Sequence, residues 1–164
     1  MLKLSAGLLP YRRIGEDVEL LIAHPGGPMW SGRDAGAWSV IKGAPEDHEL
    51  DLVVAARREF AEETGHPAPD GPLIDLGEIR MRSRKIVRAW AVEGDFDPAT
   101  LRSMRVEVEW PPRTGRLLSV PEVDRVAWCR PPEARRRLNT AQAMFVERLL
   151  RALGISEPTP GPLP

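Results

Sequence analysis

Glu59, Glu62 and Glu63 are the residues of this chain whose types and spacing best suit them to act together. At i, i+3 and i+4 they share one face wherever the segment is helical. Like charges at these spacings cost a few tenths of a kcal/mol per pair in an isolated helix, on the order of 0.2–0.5. The carboxyl end of a helix, where they sit, already carries negative dipole charge. Arg58 can pair with Glu62 at i+4, but one guanidinium does not neutralise three acids. A hard divalent ion with oxygen ligands does, and Mg²⁺ or Mn²⁺ is the natural candidate. The plainer alternative is a solvated acidic face, so the flanking residues have to decide.

The segment is built to be a helix. Asp51 is a good N-cap, residues 52–64 contain no Gly or Pro, and Gly65 stands where a C′ glycine belongs. Pro67 and Pro69 prevent continuation. Upstream, Trp38-Ser39-Val40-Ile41 reads as a short strand ended by Lys42-Gly43. Residues 2–12 and 17–24 read as a hairpin about Arg13-Ile14-Gly15-Glu16. The Gly/Pro-rich stretch 25–37, with Trp30 and Arg33, reads as a long loop.

Downstream, 72–80 and 85–93 read as strands joined by Arg82-Ser83-Arg84, and 105–109 as a half-exposed strand. A loop at 110–116 and a strand at 123–129 follow. A final helix is predicted over 133–153, with Leu138, Ala141, Phe145, Leu149 and Ala152 as its apolar stripe. Strands interleaved with two helices imply an α/β (α+β) sandwich in one domain, residues 1–153. The proline-rich stretch 154–164 is expected to be disordered.

Composition narrows the function. The 164 residues are 42% hydrophobic and 29% charged, with a formal net charge of −1, so no polyanion-binding surface for nucleic acid is indicated. Lys3, Lys42 and Lys85 are the only lysines; every other basic residue is arginine, a bias that a GC-rich genome alone would give. Cys129 is the single cysteine and reads as a small buried hydrophobe; with no disulfide possible and no apolar run near membrane length, a cytoplasmic location is expected. His24 and His48 show no partner spacing for a zinc site.

Read outward from the helix, Gly43-Ala44-Pro45-Glu46-Asp47-His48-Glu49 is followed, after eight residues, by Arg58-Glu59-Phe60-Ala61-Glu62-Glu63-Thr64-Gly65. This resembles the Nudix box: Gly, five residues, Glu, seven residues, then Arg-Glu-apolar-x-Glu-Glu-x-Gly-apolar. The second half matches through Gly65, and Trp38–Gly43 looks like the family's approach strand. The box covers about a seventh of the chain. Eight residues instead of seven separate Glu49 from Arg58. His66 replaces the usual apolar residue, and His48 replaces the usual glycine before the first glutamate.

The resemblance implies a Nudix-type α/β/α sandwich with a mixed sheet, a box helix and a C-terminal helix. It implies a pyrophosphohydrolase acting on a small nucleotide in which a nucleoside diphosphate is linked to another group. Glu59, Glu62 and Glu63 would bind Mg²⁺ (or Mn²⁺), with Glu59 helping to deprotonate the attacking water and Arg58 holding Glu62 and its neighbours. The carbonyl of Lys42 and, across the insertion, Glu49 would be further ligands. Relatives use another acid near the last strand, for which Glu122 is the first candidate and Glu107 and Glu109 are others. For the substrate, Trp30 is a candidate base platform, with packing under its loop as a hydrophobic anchor the alternative, and Arg33, Arg113 and Arg116 are candidate phosphate contacts, with a solvated role the alternative for each. A second reading is a non-catalytic Nudix-fold module that binds a nucleotide or a protein.

Overall fold

The structure, a computed structural model, describes residues 2–157. Strand β1 (Leu4–Ile14) turns through Gly15 into β2 (Asp17–Pro25), with Ile14 opposite Asp17 and Tyr11 opposite Leu20. The helix α1 (Leu52–Thr64) is reached through β3 (Ile41–Gly43) and followed by β4 (Leu73–Arg80) and β5 (Ile86–Glu93). β6 (Arg105–Glu109), β7 (Leu117–Pro121) and β8 (Val123–Cys129) then lead into α2 (Pro131–Arg137) and α3 (Ala143–Leu153). The main sheet runs β4-β5-β1-β2-β8, and only the β1–β5 pairing is parallel.

β1 has two neighbours along one edge. Its residues 6–8 pair with β3, whereas β2 joins it only from Tyr11 onward. The hairpin therefore forks, and β3 wedges into the fork. Gly7 permits this close approach, because a Cβ there would stand 2.9 Å from both the Ile41 carbonyl oxygen and the Lys42 Cβ.

Both faces of the central strands are covered, which is why β1 and β2 read as apolar runs and not as alternating ones. Leu9, Leu20 and Ile22 join Trp38, Phe145 and Leu149 in one core, on the side of α2 and α3. Leu8, Leu21 and Ala23 join Ile41, Ala56 and Phe60 in the other, under α1. The α/β/α layering expected from the sequence is what the chain adopts.

Three elements differ from expectation. The single helix over 133–153 is two. Leu138 leaves helical geometry with ψ 148°, and Asn139 N–H donates to the Trp38 carbonyl. The fully buried Gln142 accepts from Val40 N–H at 2.8 Å, so tertiary bonds override local propensity there. Ala152, placed on the apolar stripe, is exposed, and the buried face runs through Phe145, Val146, Leu149 and Leu150. Second, β7 forms within what the sequence left unassigned and pairs with β6 in a separate hairpin, out of the main sheet; Leu117 and Leu118 on it are exposed, so no burial pattern announces it. Third, the strand before α1 begins at Ile41, with only single bridges at Trp38 and Ser39.

The tail expected to be disordered begins in order: Ile155 N–H donates to Leu150, and Glu157 pairs with Arg135. Residues 158–164 lie outside the described residues. No helix of the described residues is long and apolar enough to cross a membrane.

Candidate active site

α1 obeys the local signals. Asp51 accepts from Val53 N–H at 2.9 Å, and Gly65 closes the helix at φ 77° with its N–H on the Ala61 carbonyl. Its buried face contains the stripe Ala55, Glu59, Glu63 at four-residue steps, so an apolar stripe turns acidic where the helix passes β3. Glu59 and Glu63 are buried, and Glu62 is half-buried beside them.

Each acid is held by a neighbour. Glu63 accepts from Lys42 N–H at 3.2 Å. Arg58 Nη1 donates to Glu59 at 2.9 Å and to Glu62 at 3.0 Å. The same guanidinium reaches the loop before the helix: Nε donates to Glu49 Oε1 at 2.6 Å, and Nη2 to Glu49 Oε2 and the Ala44 carbonyl, each at 3.0 Å. The extra residue in that loop therefore leaves the Glu49–Arg58 pair intact. Glu49 Oε2 also accepts Glu46 N–H at 2.8 Å, which commits both its oxygens. Gly43 lies so close to Glu59 that a Cβ on it would overlap the carboxylate.

A cleft of about 650 Å³ opens beside the fork, lined by Ser5, Ala23, Ser39, Val40, Lys42, Gly43, Glu63 and Glu122 among others. That volume lies within the usual range for small-molecule sites. Glu122 stands across from α1, fixed through its main chain to Met104 and Gly26. Burial is the first cause that raises the carboxyls of Glu59, Glu63 and Glu122 above the usual glutamate range, Glu63 by the most. Neighbouring acids add to it: Glu122 acts on Glu63, and Glu62 on both Glu59 and Glu122. Burial likewise lowers the Lys42 ammonium, against the pull of Glu63 and Glu122. By contrast Arg58 holds Glu49 down at about 2.

These opposite directions fix a pH dependence. Glu59, Glu63 and Glu122 bind protons more tightly folded than unfolded, so stability falls as pH rises above about 4.5 and through their raised folded-state values. Carboxylates held down, such as Glu49, contribute stability lost only as pH falls below about 4.5. A divalent ion binds the deprotonated acids, so its stabilising effect should grow across the same window. Melting temperatures in EDTA should decline as pH is raised from about 5, and added Mg²⁺ should offset the decline increasingly. A Mg²⁺ shift independent of pH would remove these acids from metal binding.

The donor set fits a hard divalent cation: the clustered groups offer oxygen alone, and a cation would relieve the charge that burial and mutual repulsion oppose. Among the described residues, the group with ligand atoms mutually within 4.8 Å is instead Glu46, His48 and Glu49, a proximity the spacing of His48 had not suggested. It is the poorer site, because Glu46 and His48 are exposed and both Glu49 oxygens are taken. Arg58 and Lys42 N–H hold Glu59, Glu62 and Glu63 short of such closure.

The chain's sequence matches the family model of the NUDIX domain over residues 1–149. It belongs to the Nudix family. An uncharacterised 17.7 kDa protein of Enterobacteria phage T4 is 30% identical over 128 residues, which cover 77% of this chain and 82% of the phage protein. In fold the Nudix chain is similar to a C. elegans Ap4A hydrolase (TM-score 0.64, 18% identity, 92% of this chain and 98% of that one). It is also similar to the NUDIX domain of Shewanella oneidensis NrtR, solved with ADP ribose (TM-score 0.61, 12% identity, 93% and 89%). Its class is that of the Nudix-type pyrophosphohydrolases, enzymes acting on acid anhydrides.

The other sequence candidates lie elsewhere in the Nudix chain. Glu107 and Glu109 are on β6, outside the cleft. Arg113 and Arg116 are at the exposed tip of the β6–β7 hairpin, whose five-residue strands put it roughly 17 Å from its base. The loop with Trp30 and Arg33 is tied to the opposite face from α1. The buried His24 meets the Arg33 carbonyl and Asp124, Trp38 Nε1 donates to Asp34 at 2.8 Å, and Arg136 donates to Asp34 at 3.0 Å. Trp30 packs against the core on the α2–α3 side. Trp30→Ala should therefore lower Tm by several degrees and leave KM within about twofold. A tenfold rise in KM at unchanged Tm would return Trp30 to the substrate. What the sequence missed is Gln142, which braces the strand entering the site; a lone Gln in a helical pattern gives no such signal.

Proposed function

We propose that this Nudix chain hydrolyses the phosphoanhydride bond of a substrate in which a nucleoside diphosphate is linked to another group, with Mg²⁺ or Mn²⁺ held by Glu59, Glu62 and Glu63. Three side-chain carboxylates on one partly buried helix face, with Arg58 the one guanidinium among them, carry this reading. When bound, the cation supplies charge neutralisation at the phosphoryl oxygens and a more acidic water. The chain's own groups do the rest. Glu59, raised by burial, is suited to accept the proton of the attacking water near neutral pH. Arg58 fixes Glu59 and Glu62, Glu49 fixes Arg58, and Lys42 N–H orients Glu63. Glu122 is the additional acid facing the cleft.

The likeness to the Ap4A hydrolase and to the ADP-ribose-bound domain supports a nucleotide substrate. A panel of damaged nucleoside triphosphates, dinucleoside polyphosphates, ADP-ribose and nucleotide sugars, with Mg²⁺ and with Mn²⁺, tests it. Turnover of at least one class, lost in EDTA, is expected; none on any class would make the chain a binding module. The intact Glu49–Arg58 pair weakens that second reading, whose support was the altered loop.

Glu49 is a positioning residue here, one step removed from the reacting atoms. Glu49→Gln should cost about tenfold less in kcat than Glu59→Gln, since Arg58 keeps its bonds to Glu59 and Glu62. Equal losses in a kinetic comparison of the two variants would put Glu49 on the metal.

A further inference from the structure

All three lysines of the chain, Lys3, Lys42 and Lys85, line the one cleft that Glu63 and Glu122 also line. Elsewhere every basic residue is arginine. A composition bias alone would scatter the few remaining lysines over the surface. Two of them are brought side by side by the sheet: β1 and β5 run parallel with Leu4 opposite Ile86, and Ile86 N–H donates to the Lys3 carbonyl at 2.8 Å. Lys3 and Lys85 thus stand at the entry of adjacent strands, exposed. Among the described residues no carboxylate lies in ion-pair range of either. Lys42 differs, being half-buried and in the field of Glu63 and Glu122. The cleft therefore has an acidic wall with one ammonium in it and, beyond that, two ammonium groups with no counter-charge. Compact, three-donor ammonium groups can follow a flexible chain of phosphates without the planar fit a guanidinium demands.

We propose that Lys3 and Lys85 form a second anion subsite of this cleft, holding the part of a phosphate chain beyond the bond that is cut, so that the ligand carries at least three phosphates in a row. This rests on the hydrolase reading above: the two phosphates flanking the scissile bond lie against the acids and Lys42, and a third meets the two free ammonium groups. The ligand class is then a nucleoside triphosphate, a dinucleoside polyphosphate or an inorganic polyphosphate, and a sugar linked through only two phosphates leaves the subsite unfilled.

The test is calorimetric binding of inorganic tripolyphosphate and of pyrophosphate to the full chain with Ca²⁺ in place of Mg²⁺, under conditions in which no phosphate release is detected. Wild type, K3A/K85A and K3R/K85R are compared, with thermal melts to show that each folds. Wild type should prefer tripolyphosphate by about tenfold or more. K3A/K85A should lose that preference while pyrophosphate affinity stays within about threefold, and K3R/K85R should retain much of it. Equal affinities in wild type, an unchanged preference in K3A/K85A, or an equal loss for both ligands would overturn the subsite. ATP and a dinucleoside tetraphosphate, titrated alongside, assign the source of the chain by whether they bind tighter than tripolyphosphate. Because binding is read without turnover, a hydrolase reading that failed on the substrate panel would be seen separately.

Discussion

Glu63→Gln is expected to lower kcat roughly a thousandfold, about 4 kcal/mol of transition-state stabilisation, without loss of folding stability. Glu63 is buried, and its carboxyl is raised well above the glutamate range by burial first and by Glu122 second. The charge that the proposed chemistry needs is therefore one the apo fold opposes. Glutamine keeps the shape and can still accept Lys42 N–H through its amide oxygen, so the main-chain bond survives. Tm without metal should stay level or rise, and the Mg²⁺-dependent rise in Tm should shrink. Glu62→Gln should show the same kinetic loss, with a smaller effect on the apo protein because Glu62 is only half-buried. Kinetics with paired melts check both, and Mg²⁺ affinity retained at the wild-type value in both variants would take these glutamates out of the site.

Gly43→Ala should cost about a hundredfold in kcat, near 2.7 kcal/mol. The reason is space and not backbone freedom, since Gly43 is absent from the positive-φ residues. Its added methyl would overlap the Glu59 carboxylate, and β3 cannot retreat because Gly43 pairs with Ala6 of β1. Glu59 must then swing away from its bond to Arg58, and displacements near 1 Å at reacting groups carry losses of this size. Overpacking should also lower stability by about 1–3 kcal/mol, read as a Tm several degrees down. A variant with wild-type kcat would show that Glu59 works equally well from another rotamer.

The parts legible in the sequence were those whose cause is local. Asp51, Gly65 and the prolines at 67 and 69 bound α1 by chemistry within a few residues, and the spacing of Glu59, Glu62 and Glu63 fixes their common face. β1 and β2 showed themselves as apolar runs because they are buried on both sides. Long-range bonding was not legible. Of the partners of Arg58, Glu62 could be foreseen at i+4, but the reach to Glu49 and Ala44 depends on how the loop folds back. The break at Leu138 depends on Trp38, a hundred residues away in sequence. Trp30 and Arg33 looked poised for a substrate because their loop enters the strand before the box; His24 and Asp34 instead fasten that loop to the far face.

The brace from Gln142 to Val40 has a consequence for how the protein comes into being. By the time residue 63 leaves the ribosome, Glu59, Glu62 and Glu63 have all been made, and Glu122 follows before residues 139 and 142. Yet the segment delivering Lys42 and Gly43, paired with β1 along residues 41–43, gets two further fixings from residues made much later: Asn139 on the Trp38 carbonyl and Gln142 on Val40 N–H. Fragments ending before residue 139 would carry every acid and the β1–β3 pairing and still lack both of these bonds. Domains fold as units during synthesis, and this one has little to gain from an early start. A nascent chain halted before residue 142 should hold its carboxylates beside a looser strand, and the complete site should appear only once residues 139 and 142 have both been made.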